Sequence, residues 1–198
     1  MNLHILHTAP KGPAAGPHFL TEVRTIDPEH DIHLKEFGQL TLRPIRSEDE
    51  KAMVEFHQNL SEENIYLRYF EHISLDTRTQ HERLTKVCQN TADSFAIVAE
   101  THATGTHPAR IIGVGRLTTT EVPAVASFAL LIQDNALATQ LPRDLLKRLI
   151  TLASVYGFHT LTGELLVADH DILNLCRTLG FTLHTIPEDG LVKVSHSL

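Results

Sequence analysis

Three consecutive β-patterned segments followed by one long amphipathic helix are the feature that most restricts the folds open to this chain. Segments 94–100, 110–120 and 124–132 read SFAIVAE, RIIGVGRLTTT and AVASFALLI, with polar connections between them that contain Gly or Pro. This pattern predicts an antiparallel meander. Apolar residues recur at helical spacing over 142–156, and segment 161–167 predicts a further strand. The succession predicts a mixed α/β domain with a helix that crosses over to a later strand.

The other predicted elements flank this central unit. They are a hairpin over 31–45 with its turn at Phe37-Gly38, a helix opened by a Ser47–Glu50 capping box, a helix from Ser61, a helix from Asp76 or Thr77 to about Cys88, a helix over 171–179 stopped by Gly180, and two last strands joined at Asp189-Gly190. Tyr66 and Tyr69 are three residues apart, which favours a place in the core, with an acceptor groove as the alternative. Residues 1–30 contain four prolines and predict an irregular arm ahead of a domain over 31–198.

Composition excludes several classes of partner. With 198 residues and 42% hydrophobic content, the chain can bury the core of one domain. The 17 Lys and Arg against 24 Asp and Glu give a net charge of −7, so neither nucleic acid nor an anionic membrane surface is expected as a partner. The longest apolar segment, 122–132, is shorter than the ~20 residues that a membrane span needs.

The N-terminal segment and the cysteines predict a cytoplasmic protein without a redox or metal-binding cysteine motif. Residues 1–16 lack the charged start and the continuous apolar segment of a secretory signal, so a cytoplasmic location is expected. Cys88 and Cys176 lie far apart and form no C-x-x-C motif, which predicts two buried, unreactive thiols. The spaced histidines lack a helix with a third carboxylate ligand, so no metal site is predicted. Whether the chain forms a homo-oligomer is left open.

Several local motifs occur in an order that resembles a known family. They are LTLRPIRSEDE, LSEENIYLRYF, RIIGVGRL, RLITLASVYGFHTLTGELL, CRTLGF and PEDGLVKV, within roughly 33–198. Together they resemble the GNAT (GCN5-related) N-acetyltransferase domain that is linked to acyl-CoA-synthetase-like modules in bacterial protein lysine acetyltransferases. The resemblance implies a GNAT fold, with a mostly antiparallel central sheet flanked by helices. It also implies transfer of an acetyl group from acetyl-CoA to a protein lysine or a small amine.

The same resemblance implies where acetyl-CoA binds. Its pantetheine arm would hydrogen-bond the strand that ends at Leu130–Ile132, between two splayed central strands. Its pyrophosphate would lie at the N-terminus of the next helix, against Ala138, Thr139, Gln140 and Arg143. Asp169 stands where the family often has an asparagine that contacts CoA, and it adds a negative charge near a polyanionic ligand.

This sequence departs from the family in the pyrophosphate loop. The family loop resembles Gln-x-x-Gly-x-Gly/Ala, whereas residues 137–142 read LATQLP and contain no glycine. Pro142 has no N–H to offer, and Gln140 adds a side chain where close backbone approach is wanted. Asp144 favours the helix dipole but repels a diphosphate. Arg143 could compensate as a side-chain phosphate ligand.

A second departure concerns proton transfer. Ser127 occupies the position of the glutamate that serves as general base in the family, and a serine does not accept a proton at neutral pH without a partner. Two hypotheses are therefore kept. The first is an acetyl-CoA-dependent N-acetyltransferase of weakened activity. The second is a non-catalytic sensor or protein-interaction module with this fold that has lost normal acetyl-CoA binding.

Overall fold

A computed structural model describes residues 29–105 and 108–198. Within these ranges the strands form one eight-stranded sheet in the order β1-β2-β3-β4-β5-β6-β8-β7. The strands are β1 His30–Leu34, β2 Gly38–Pro44, β3 Ser94–Thr101, β4 Ile111–Thr119, β5 Val125–Ile132, β6 Thr160–Leu166, β7 Thr182–Ile186 and β8 Leu191–Ser197. Every neighbouring pair is antiparallel except β5–β6, which is parallel. The prediction of a mixed, mostly antiparallel sheet is confirmed.

Seven helices accompany the sheet in the described ranges. They are α1 Glu50–Gln58, α2 Glu62–Tyr69, α3 Leu75–Arg78, α4 His81–Val87, α5 Asp134–Leu137, α6 Leu141–Val155 and α7 His170–Thr178. The predicted hairpin, the meander, α6 and α7 are present, and Gly180 takes a φ of 84° directly after α7. Such a left-handed conformation carries no steric penalty for glycine, which explains why the helix ends there.

Two predicted helix boundaries are wrong. Ser47 does not cap α1, because it opens a 3₁₀ turn over Ser47–Asp49, and the carboxylate of Asp49 accepts the backbone N–H of Arg46 at 2.8 Å. The single helix expected from Asp76 to Cys88 is two helices, α3 and α4. Thr79 is the last residue bonded back into α3, through its N–H to the carbonyl of Leu75, and the extended backbone of Gln80 (φ −58°, ψ 133°) then separates α3 from α4.

Helices cover both faces of the sheet. On one face, Leu145, Leu149 and Leu152 of α6 pack on the sheet. An added Cβ at Gly113 or Gly115 of β4 would lie 3.0 or 3.1 Å from the methyl carbons of Leu145 and Leu149, so these glycines let α6 approach closely. On the other face, α1, α2 and α4 contribute a second apolar cluster: Met53, Phe56, Ile65 and Leu84, packed with Val114 and Leu131 of the sheet.

A buried ionic cluster joins β2 to the start of α1. The guanidinium of Arg43 donates to both carboxylate oxygens of Asp49 at 2.7 Å and to both oxygens of Glu100 at 2.8 Å. Burial opposes ionisation of Asp49, but hydrogen bonds from Arg43 and from the Arg46 N–H outweigh it and lower the pKa of Asp49. The Arg43–Asp49 ion pair therefore holds the β1–β2 hairpin against the start of α1.

Of the remaining predictions, one concerns residues outside the described ranges, one is confirmed and one is wrong. The irregular arm predicted for residues 1–30 lies almost wholly outside them, and β1 begins at His30. Cys88 and Cys176 are buried as predicted, and burial raises the pKa of their thiols to about 11 and about 12. Tyr66 is exposed and stacks on His72, so its expected place in the core is wrong. No helix among the described residues has the length and apolar content to cross a bilayer.

Candidate functional site

The sheet opens between β5 and β6. These parallel strands pair only at their first residues, Val125–Ser127 against Thr160–Thr162. Beyond Ser127 the two strands are no longer paired, and β5 continues to Ile132 against β4 alone. The second half of β5 is therefore an edge inside the sheet, which leaves room for a chain-like ligand alongside it.

The backbone of β5 offers polar groups to this opening. The Gln133 N–H donates to the carbonyl of Ile112 in β4, so the backbone polar groups of Gln133 point toward β4. Because successive strand residues point their N–H and C=O groups to opposite sides, those of Phe128, Leu130 and Ile132 face β6. A peptide-like ligand could hydrogen-bond there as an extra strand does.

The end of β5 is held by residues of α2. Asn64 donates its side-chain N–H to the carbonyl of Ile132 at 2.5 Å, a buried contact that occupies one of the outward-facing groups. Asp134, just past β5, accepts the backbone N–H of Ser61 at 3.0 Å and also its hydroxyl. Burial alone would raise the pKa of Asp134, but the bonds from Ser61 outweigh it and lower that pKa. We call these four residues, Ser61, Asn64, Ile132 and Asp134, the α2–β5 clamp.

The segment between β5 and α6 is a helical turn followed by a short loop. The hydroxyl of Thr139 donates to the carbonyl of Ala136 at 2.7 Å and accepts the N–H of Leu141 at 3.1 Å. Pro142 lies in the first turn of α6, where a missing N–H is tolerated. No described residue accepts the backbone N–H of Gln140 or of Arg143. Two donors therefore remain at the N-terminus of a 15-residue helix, the end that favours anions.

A cavity of about 570 Å³ adjoins this loop. It is lined by residues from three segments, His33–Glu36 of the hairpin, the loop from Leu137 to Arg143, and the first half of α7. Lys35 and Arg143 supply cationic side chains to its wall, and Glu36 and Asp171 supply carboxylates. Arg143 also donates to the Thr178 hydroxyl at 3.2 Å. Its volume lies within the ~300–1,000 Å³ range of pockets for small molecules and cofactors.

The two carboxylates that were expected to repel an anion have local partners. Asp144 is not among the residues that line the cavity. Burial raises its pKa, and the nearby charges of Lys147, His30 and Arg143 act in the opposite direction. Asp169 caps α7, with its carboxylate accepting the Ile172 N–H at 3.2 Å, and burial raises its pKa as well.

Ser127 lies at the point where the strands separate. Its side chain is partly exposed, and its hydroxyl donates to the carbonyl of Thr118 at 3.5 Å, a long contact. Its strand partner is Thr118 of β4, so its side chain shares the sheet face that α1, α2 and α4 cover. The residues predicted to contact the pyrophosphate, Ala138, Thr139, Gln140 and Arg143, lie beyond the far end of β5, beside the cavity.

Comparison with solved structures identifies the architecture. No family model matches this sequence. The GNAT domain of S. lividans PAT superimposes with a TM-score of 0.73 at 23% identity, over 86% of this chain and 97% of that one. Mycobacterium smegmatis RimJ, solved in complex with CoA-disulfide, has a TM-score of 0.67 at 12% identity over 85% of this chain and 86% of its own.

A third structure, yncA from Salmonella typhimurium with its cofactor acetyl-CoA, covers 80% of this chain and 94% of its own, with a TM-score of 0.59 at 17% identity. The chain has the GNAT fold. The resemblance inferred from the sequence is confirmed at this level, including its likeness to a PAT domain. Within the GNAT fold, the separation of β5 from β6 agrees with the splayed strands that the resemblance implied.

The GNAT-fold structure brings the predicted residues together in part. Leu130 and Ile132 border the opening, and Ala138, Thr139, Gln140 and Arg143 line the cavity, whereas Asp169 lies at the start of α7 and outside its lining. Sequence reasoning missed the α2–β5 clamp. Its signal was the Ser61 cap with Asn64 three residues later, but the contact with Ile132 spans 68 positions, so no local pattern could indicate it.

Proposed function

We propose that this GNAT-fold chain is an N-acetyltransferase that takes acetyl-CoA as donor and a protein lysine or a small amine as acceptor. The proposal depends above all on one observation. Within the described residues, the second half of β5 has no strand partner on its β6 side and leads to a helix N-terminus where the N–H groups of Gln140 and Arg143 have no acceptor, beside a cavity of about 570 Å³. The similar structures of RimJ and yncA were solved with CoA-disulfide and acetyl-CoA, which supports the choice of donor.

Two segments of this chain would bind different parts of acetyl-CoA. The outward-facing carbonyl of Leu130 would accept a hydrogen bond from an amide of the pantetheine arm along β5, which leaves the Leu130 N–H for the thioester carbonyl oxygen. The N–H groups of Gln140 and Arg143, with the guanidinium of Arg143, would hold the pyrophosphate, because a helix N-terminus and an arginine both favour phosphate oxygens. The glycines of the family loop are absent, so Gln140 contributes its N–H from a helical backbone conformation.

The transfer step needs little from acidic or basic side chains. The neutral acceptor amine attacks the thioester carbonyl carbon, a C–N bond forms, the C–S bond breaks, and sulfur leaves with the electron pair as the CoA thiolate. A β5 N–H aimed at the carbonyl oxygen stabilises the charge that develops there. Ser127 supplies no base, so the amine proton goes to water, and we expect the rate to rise with pH toward the pKa of the acceptor amine.

The proposal is tested by removing one backbone donor. Leu130→Pro deletes the outward N–H, and because that N–H takes no part in the pairing with β4, the strand should persist. Leu130→Ala is the matched control, since it shortens the same side chain and keeps the N–H. We expect calorimetry to show acetyl-CoA binding to both, with CoA release to an amine panel reduced about 10²–10³-fold in Leu130→Pro relative to Leu130→Ala.

Two outcomes count against the proposal. If neither acetyl-CoA nor CoA binds or stabilises the protein at millimolar concentration, the donor assignment is wrong. If acetyl-CoA binds but no amine of the panel releases the CoA thiol, transfer is wrong and the non-catalytic sensor or interaction module is favoured. Equal turnover of the two Leu130 variants would remove the role of this N–H.

A further inference from the structure

Three arginines gather on the sheet face that carries Ser127. Arg68 lies in the last turn of α2, Arg83 lies in α4, and Arg116 lies in β4. The guanidinium carbons of Arg68 and Arg83 are 5.0 and 5.5 Å from the ring centroid of Tyr69. We call Arg68, Arg83 and Arg116 the arginine cluster.

No carboxylate among the described residues pairs with this cluster. Arg116 donates to two neutral acceptors, the hydroxyl of Ser94 at 2.8 Å and the carbonyl of Val87 at 2.5 Å. Arg68 and Arg83 contact the Tyr69 ring, which leaves their N–H groups available. In a chain with 24 acidic and 17 basic residues, three neighbouring cations without a carboxylate need a physical reason.

Keeping these cations close together is unfavourable in the protein alone. Burial lowers the pKa of Arg68, and the charge of Arg83 lowers it further. Burial and the charge of Arg68 lower the pKa of Arg116 in the same way. Like charges in a partly buried place repel each other and lose hydration, so a bound anion would relieve both costs.

The cluster lies near the expected position of the acceptor. Arg116 is paired with Ala129 of β5, and Thr118 with Ser127, so Arg116 and Ser127 share one face of the sheet. Ala129 and Ser127 are two strand residues apart, about 7 Å along β5. Tyr69 packs against the apolar cluster on that face, which includes Leu131 of β5, and α2 contacts β5 directly.

We infer that the acceptor amine carries an anionic group, a carboxylate or a phosphate, and that the arginine cluster binds this group while the amine lies toward Ser127. This inference rests on the proposed function, because it names the class of acceptor for the same site. The planar guanidinium suits either anion, since its N–H groups match two oxygens at once. A glutamate at position 127 would compete for the same arginines, so the serine keeps the cluster free for the acceptor.

The test compares acceptors that differ only in the anion. The probes are ω-aminocarboxylates of increasing chain length, the matching ω-amino carboxamides, and the matching ω-aminoalkylphosphonates, each assayed with acetyl-CoA by release of the CoA thiol. We expect kcat/KM to be about 10- to 100-fold higher for at least one anionic amine than for its carboxamide, because a charge-assisted hydrogen bond contributes that much. The carboxylate and phosphonate series show which anion is preferred.

Variants connect the preference to the cluster. Arg68→Gln should raise KM for the anionic amine, leave kcat nearly unchanged, and leave kcat/KM for the carboxamide within about twofold, since the lost contact is the same in ground and transition states. Arg83→Gln should likewise raise KM for the anionic amine. This second variant keeps the test valid if Arg68→Gln folds poorly. Arg46→Gln is the control, because Arg46 is an exposed arginine paired with Glu29.

The outcomes separate this inference from the proposed function. Transfer to carboxamides and anionic amines with equal kcat/KM overturns the inference and leaves the acetyltransferase proposal intact. An anionic preference that persists in both Arg68→Gln and Arg83→Gln also overturns it. Absence of transfer to every amine, despite acetyl-CoA binding, overturns the proposed function and the inference with it.

Discussion

The α2–β5 clamp gives the sharpest test of how the site is built. Asn64 is buried and donates to the carbonyl of Ile132 at 2.5 Å, and it also lies beside the carboxylate of Asp134. Asn64→Asp keeps the shape of the side chain but replaces the N–H donor with a carboxylate oxygen. That oxygen would face the carbonyl of Ile132 and stand close to a second negative charge.

The size of the effect follows from burial. A buried acceptor left without its donor costs about 1–3 kcal/mol, and more when a charged group is involved. We therefore expect the free energy of unfolding to fall by about 2–3 kcal/mol at pH 7, which corresponds to a decrease of about 4–12 °C in Tm for a domain of this size. The acetyl-CoA binding that we propose should weaken as well, since the clamp holds the end of β5 next to the loop.

The chain provides a matched control. Asn59 also donates its side-chain N–H to a backbone carbonyl, that of Glu55 at 2.7 Å, but this contact is exposed. Water can replace a lost exposed donor, so Asn59→Asp should change the free energy of unfolding by no more than about 0.5 kcal/mol. Urea unfolding of the two variants and the wild type measures both values.

The pH dependence checks the electrostatic part of the reasoning. Burial and the nearby charge of Asp134 should raise the pKa of the introduced carboxyl in the folded state above its unfolded value of about 3.9. The electrostatic loss in the free energy of unfolding then has its full size at pH values above the folded-state pKa of this carboxyl. It disappears as the pH falls below the unfolded-state pKa. If Asn64→Asp is as stable as Asn59→Asp at pH 7, or if the difference does not shrink on acidification, the account of the clamp is refuted.

Two further substitutions test the core. Arg43→Met leaves Asp49 buried without its main partner, so we expect a loss of about 3–5 kcal/mol in urea unfolding at pH 7. Because the folded-state pKa of Asp49 is lowered, its contribution is present above the unfolded pKa and is lost as pH falls through the folded one, and a pH-independent loss would contradict this. Gly163→Ala places a Cβ 2.7 Å from Cε1 of Phe128 and should cost about 1–3 kcal/mol by calorimetric Tm. The cost should be smaller in a Phe128→Leu background, and equal costs in both backgrounds would exclude the clash.

Local sequence patterns predicted the elements whose structure depends on interactions between residues close together in the chain. The alternation of apolar and polar residues predicted the hairpin and the meander, and helical spacing predicted α6 and α7. Gly180 ended α7 as expected because only a local backbone conformation is involved. The break between α3 and α4 was missed because it depends on the extended backbone of Gln80, a conformation that residue type alone does not decide.

The predicted pyrophosphate loop shows the limit of an argument from residues that a motif lacks. The sequence correctly shows that residues 137–142 contain no glycine and that Pro142 lacks an N–H. It does not show that no described residue accepts the N–H groups of Gln140 and Arg143, or that Asp144 lies near Lys147 and outside the lining of the cavity. Those facts depend on backbone angles and on neighbours from other segments.

By itself, the sequence determined the types and order of the main elements and the absence of glycine from residues 137–142. These follow from interactions between residues close together in the chain. Only the tertiary structure decided that Asn64 closes on Ile132 and that Arg68, Arg83 and Arg116 meet on the face of Ser127. Their side chains come from separate helices and strands, and the energy of such contacts depends on burial and distance after the sheet and helices have packed.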